Sequence, residues 1–124
     1  MTSDHDAIRE LLARHAQLTD DGRIDERVAL YADDGAFQMG EQRSEGHHEL
    51  RRTFAASGSG AKHITSNPVI ELEGDRAAVQ TDFVVFKATP EGITALATGR
   101  YHDQMIRQDG RWCFAERVLV LQSS

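Results

Sequence analysis

The stretch Lys62-His63-Ile64-Thr65-Ser66-Asn67-Pro68-Val69-Ile70-Glu71-Leu72-Glu73 is where the chain changes period. Upstream of it, apolar residues recur every three to four positions, as on a helix face; from it onward they recur every second position, as on a strand. A Gly/Ser tract, Ser57-Gly58-Ser59-Gly60, precedes it. Three more extended runs come after it, over 76–88, 93–106 and 111–121. Between them stand Gly74-Asp75, Pro90-Glu91-Gly92 and Asp109-Gly110, all of which are turn signals. The pattern predicts a meander of four long antiparallel strands.

Working back toward the start, Ser3 followed by Asp6 resembles a capping box. Ala7, Ile8, Leu11, Leu12, His15 and Leu18 then form one helical stripe, and Gly22 suits a helix C-cap. A second short helix is expected over 25–32, stopped by Asp33-Asp34-Gly35, then a short strand over 36–39 and a third helix over 46–54. Helices segregated from a run of strands make an α+β plan. A long, twisted sheet of this kind can curl around the helices and leave an internal cavity between them. The expected architecture is a curved antiparallel sheet, a cone-like half barrel, wrapped around three N-terminal helices.

With 124 residues the chain is expected to form a single domain, 1–124. Its 40% hydrophobic and 27% charged residues are those of a soluble globular protein, and a cytoplasmic location is expected. The net charge of −6 offers no electrostatic footprint for nucleic acid, and no apolar run approaches a membrane span of ~20 residues. The single Cys113 precludes an internal disulfide. The six histidines show no HxH or HExxH spacing, and GxGxxG and P-loop patterns are lacking. Neither a metal nor another cofactor is therefore expected.

The punctuation of the chain runs Thr19-Asp20-Asp21-Gly22-Arg23-Ile24-Asp25, Leu30-Tyr31-Ala32-Asp33-Asp34-Gly35, Gly46, His63 to Ile70, Gly74-Asp75, Gly99-Arg100-Tyr101-His102-Asp103 and Asp109-Gly110-Arg111-Trp112. This ordered set resembles the SnoaL-like branch of the nuclear-transport-factor-2-like superfamily. The closest pattern within it is the group of scytalone dehydratase, bile-acid dehydratase and hexachlorocyclohexane dehydrochlorinase. Those enzymes pair an aspartate ending the first helix with a histidine opening the strand after the third. By position the resemblance implies Asp20 and His63 as a general acid/base dyad. His15 stands where those enzymes carry a tyrosine or lysine.

A neutral imidazole can remove a carbon-bound proton, and a carboxylate on its other nitrogen fixes the tautomer. The expected function is therefore a cofactor-independent lyase or isomerase, dehydratase-like, acting on a small, largely apolar, possibly cyclic molecule. Two other functions compete: a non-catalytic ligand-binding or assembly domain, and an epoxide-opening hydrolase. Around the dyad, Phe37, Phe54 and Phe83 are candidate pocket walls, with Met39 and Phe86. His15 is either a satisfied core histidine or a substrate contact. Asn67 either shares the pocket face with His63 or makes a structural bond at a strand irregularity. Tyr101 with Asp103, rather than His102, is expected to face inward. Asp82 is a reserve base or an outward residue paired across the sheet. Arg100 and Arg117 are expected to pair with acidic cross-strand neighbours. Apolar residues on both faces of 77–86 and 93–98 suggest a covered outer sheet face, and so a homo-oligomer, dimer or trimer.

Overall fold

The computed structural model describes residues 2–122. The Ser3 hydroxyl accepts the Asp6 N–H at 3.1 Å and starts α1, Asp4–Asp20, whose buried stripe is Ile8, Leu11, Leu12, His15 and Ala16. The helix ends in a Schellman motif. The Arg23 N–H reaches the Leu18 carbonyl at 3.0 Å, the Gly22 N–H reaches that of Thr19 at 3.2 Å, and Gly22 takes φ 68°. That stop fixes Asp20 in the last helical turn.

α2 spans Ile24–Val28 and is shorter than the sequence pattern suggests. The chain leaves the helix because Leu30 and Tyr31 engage the sheet. The Leu30 carbonyl accepts the Phe114 N–H at 2.9 Å, and Tyr31 pairs with Phe114. Strand β1 is consequently Tyr31–Met39, and Asp33-Asp34-Gly35 lies inside it as an irregularity rather than outside it as a helix stop. A Cβ at Gly35 would come within 2.9 Å of the carbonyl oxygens of both Ala32 and Phe114, so only glycine fits there. The short polar strand β2, Gln42–Glu45, had no sequence signal. It leads into α3, Gly46–Ala56.

The meander then runs as expected: β3 Lys62–Glu73, β4 Arg76–Thr89, β5 Gly92–Gln108 and β6 Arg111–Leu121. The six strands form one curved, unclosed sheet in the order β2-β1-β6-β5-β4-β3. The β3 to β6 pairs are antiparallel, as the curved antiparallel sheet read from the sequence requires, and β1 joins the other side of β6 in parallel. The α+β plan stands. Among the described residues no helix is long and apolar enough to cross a membrane.

Alternation divides the sheet faces. Ala77, Val79, Thr81 and Phe83 of β4 and Tyr101, Asp103 and Met105 of β5 are buried inward, with Ile8, Leu11, Leu12, Val28, Leu50 and Phe54 of the helices over them. Trp112 anchors the last hairpin, its indole N–H donating to the Asp4 carboxylate at 3.0 Å. Gly99 lies between Phe83 and Leu121 in the ladder, and its missing side chain is what lets them close. A Cβ there would collide with the Val120 carbonyl and come within 3.0 Å of both the Leu121 Cα and the Phe83 ring. Gly99→Ala should therefore destabilise by about 1–3 kcal/mol through overpacking against rigid backbone. A urea midpoint indistinguishable from wild type would refute this packing account.

Candidate functional site

Between the helices and the inner sheet face lies a cavity of ≈ 350 Å³. Phe37 and Met39 of β1, Phe54 of α3, Tyr101 of β5 and Leu119 of β6 give it a largely apolar wall. Thr19, Arg27, Gln42, Ser44, Thr53 and His63 supply polar atoms, and the loop around Ser57 to Ala61 completes it. The volume falls within the roughly 300–1,000 Å³ of small-molecule sites.

Asp20 and His63, separated by most of the N-terminal half of the chain, meet beside this cavity, with the His63 ring on its wall and Asp20 behind it. The Asp20 carboxylate accepts the His63 backbone N–H at 2.9 Å and lies 2.7 Å from the ring Nδ1, all through Oδ1. The carboxylate oxygen must accept, so Nδ1 carries the proton and Nε2 keeps its lone pair. Nε2 makes no hydrogen bond to any described residue. A carboxylate in the last turn of a helix sits at the negative end of the helix dipole, and two donated hydrogen bonds from one residue offset that.

Phe37, Phe54 and Tyr101 line the cavity as the sequence suggests. Phe83 does not reach it. That ring stacks on Tyr101 with centroids 4.5 Å apart and so supports the wall from within the core. Asn67 is also elsewhere. It adopts φ 55° in a bulge between Ser66 and Val69, which breaks the alternation that would have put it beside His63, and its side chain is exposed. Asp82 lies on the outer face, bonded to Arg100 at 2.6 Å across the strands, and that hydrogen bond holds its carboxyl below the ordinary range.

His15 is a core histidine. Its Nδ1 lies 3.1 Å from an Arg117 N–H, and its Nε2 is 2.9 Å from the Tyr31 hydroxyl. Since a guanidinium can only donate, Nδ1 is the acceptor and Nε2 bears the hydrogen. Burial lowers its pKa well below the ordinary histidine value, and the nearby charges of Arg117 and Arg27 add to that. Arg117 forms the expected cross-strand pair with Asp103 at 2.8 and 3.0 Å, but fully buried. Burial works against the Arg117 charge, and the Asp103 carboxylate outweighs it. Burial likewise raises Asp103. The two charge-assisted bonds keep the pair ionised. His47 is half-buried and bonds the Tyr31 carbonyl at 2.9 Å.

The residue that sequence reasoning missed is Arg27. In Ile24-Asp25-Glu26-Arg27-Val28 it reads as one more solvated helix charge, yet it is 8% exposed and lines the cavity, its guanidinium carbon 3.6 Å above the Phe54 ring centre.

The family model described as a SnoaL-like domain matches residues 1–118. No curated protein sequence matches the chain. The fold is close to that of Rv3472 from Mycobacterium tuberculosis, a protein of unknown function: TM-score 0.89 and 29% identity over 95% of this chain and 71% of the other. A nuclear-transport-factor-2-like protein with a cystatin-like fold from Novosphingobium aromaticivorans gives TM-score 0.87 at 22% identity, covering 98% and 83% of the two chains. A candidate scytalone dehydratase from the same organism gives 0.82 at 21%, covering 94% and 83%. The last two likenesses concern the fold alone.

The buried neutral His15 has a consequence for stability. Its folded-state pKa lies below that of the unfolded chain, so the unfolded state binds the extra proton more readily. The stability it contributes is intact above about pH 6.5 and declines below that, by up to about 1.4 kcal/mol per pH unit, until the folded-state value is reached. Urea titrations between pH 7.5 and 5 should show this slope, and His15→Gln should flatten it. An equal slope in both proteins would contradict the account.

Proposed function

The chain belongs to the SnoaL-like domain family, and on that footing we propose that it is a cofactor-independent lyase or isomerase, dehydratase-like, working through Asp20 and His63 on a small, largely apolar, possibly cyclic molecule. The observation that carries this reading is the 2.7 Å contact between Asp20 and the His63 ring at the wall of an otherwise largely apolar cavity. The likeness to a candidate scytalone dehydratase is consistent with it.

In the proposed reaction the Nε2 lone pair takes a proton from carbon next to an activating carbonyl. The electron pair of the broken C–H bond enters a new π bond, and negative charge develops on the carbonyl oxygen. In an elimination the leaving group departs from the adjacent carbon and the imidazolium returns its proton to it. In an isomerisation the proton goes back to another carbon instead. Asp20 holds the productive tautomer and stabilises the imidazolium, which supplies the acid and base without a second titrating group. His15 cannot replace His63, because its acceptor nitrogen is occupied by Arg117 and it does not line the cavity.

Proton exchange tests the reading without knowledge of the natural substrate. Wild type should accelerate loss of the α-proton NMR signals of 2-tetralone or phenylpyruvate in D2O. His63→Ala should lower that rate by roughly 10²–10⁴-fold with the fold intact, and Asp20→Asn should also lower it by loss of tautomer control. If wild type exchanges neither compound faster than His63→Ala, the proposal fails, and a non-catalytic ligand-binding domain becomes the better description.

We also propose that the chain is a homo-oligomer, dimer or trimer. Ile64, Val69 and Val120 share the outer face with Asp82 by register and are 46%, 61% and 48% exposed. Ile93 and Leu96, at the tip of the β4–β5 hairpin, are 75% and 56% exposed. An apolar surface of this kind is characteristic of association sites. Light scattering at micromolar concentration should give a multiple of the chain mass, reduced by Ile64→Glu with Val69→Glu. A monomeric wild type would dismiss the idea.

A further inference from the structure

Among the described residues, a buried cation without a counter-ion faces the cavity, and its missing partner defines what the cavity takes. Arg27 is 8% exposed, its Nε has neither solvent nor a hydrogen-bond partner, and none of its side-chain nitrogens bonds a described residue. The Phe54 ring covers one face of the guanidinium at 3.6 Å, but stacking leaves the in-plane N–H donors unused.

The nearby acids are committed elsewhere. Asp103 is held by both bonds from Arg117, and Asp20 by the two bonds from His63. The groups whose charges act on Arg27 are Tyr31, Tyr101 and Arg117, none of them a carboxylate. Burial, the largest influence, lowers its pKa to about 10, so it stays charged at neutral pH. An uncompensated buried charge is destabilising, and a fold gains nothing from retaining one here. A ligand anion would supply what is missing.

We propose that the cavity binds a flat, apolar-bodied carboxylate, with Arg27 as its counter-ion. The planar fork of a guanidinium matches a carboxylate in a bidentate manner. Phe37, Tyr101 and Leu119 would receive the apolar body. This deepens the proposed function, resting on the same cavity as the ligand site, and narrows its substrates to carboxylic acids.

The test compares 1-naphthoate with 1-naphthamide, which has the same shape and no charge, by calorimetry at low salt. Wild type should bind the naphthoate at least tenfold more tightly. Arg27→Met and Arg27→Gln should abolish that preference while leaving naphthamide affinity within a few-fold. Ligand-free Arg27→Met should melt no lower than wild type, since removing an unpaired buried charge relieves the fold. Equal binding of the two probes by wild type would overturn the proposal. So would a preference that survives in Arg27→Met, or a large fall in melting temperature with binding unchanged, which is the signature of a purely structural arginine. His63→Ala should keep the preference. In wild type, absence of proton exchange with an intact naphthoate preference would therefore count against the dyad alone, and exchange without that preference against Arg27 alone.

Discussion

The interior is organised by a guanidinium with almost no access to water. Arg117 donates twice to Asp103, once to His15, and lies 3.6 Å over the Tyr101 ring and 4.7 Å from the Phe114 ring centre. Burying each of two charges is penalised by several kcal/mol, and only near-ideal geometry recovers it. The arrangement thus tolerates little displacement. Asp103 fixes the register of β5 against β6, His15 fixes the height of α1 over the sheet, and Tyr101 is held as the wall of the cavity. The Tyr31 hydroxyl, bonded to His15, extends the same network to β1. The site is shaped by a polar lattice inside the core as much as by apolar packing.

The two inward histidines illustrate how environment divides similar side chains. His15 is surrounded by rings, with Tyr31, Phe54 and Phe114 centroids 5.6, 6.3 and 5.1 Å away, and by an arginine that occupies its acceptor nitrogen. It is held neutral and serves as a hydrogen-bond relay. His63 has its Nδ1 on a carboxylate, its side chain is 21% exposed, and its other nitrogen is unengaged among the described residues. A ring that must gain and release a proton needs the second environment, and one that must hold a helix in place needs the first.

Most of the fold was legible because the four long strands carry both a period of two and turn residues at their junctions. The Asp20–His63 meeting was legible from the resemblance together with the helix stop at Gly22. The cross-strand pairs Arg100–Asp82 and Arg117–Asp103 were legible from strand neighbours of opposite charge. The features that escaped detection depended on tertiary context. Asp33-Asp34-Gly35 is locally a turn, and only the Phe114 backbone draws it into β1. Gln42–Glu45 has no apolar alternation, because β2 is an edge strand paired only with β1. Asn67 is misplaced by any strict alternation, since a single bulge reverses the facing of the residues beyond it. Arg27 sits among charged helix neighbours, and the ring that covers its guanidinium, Phe54, is distant in sequence.

The way α1 ends ties these features to the cavity. The Schellman stop turns the chain away immediately after Asp20, so the helix presents a carboxylate at its tip and no further turn covers it. The loop from Ser57 to Ala61 then passes this tip. Its Gly60 N–H lies 3.5 Å from the Asp20 carbonyl, Ser59 packs against Gly22, and Ser57, Gly58, Ser59 and Ala61 line the cavity. Two residues later the backbone and ring of His63 both close on Asp20. The same crossing that leads into β3 therefore builds the Asp20–His63 contact and closes one side of the cavity. A longer loop would weaken both through the entropy of ordering it, by about 0.6 kcal/mol for each doubling of its length.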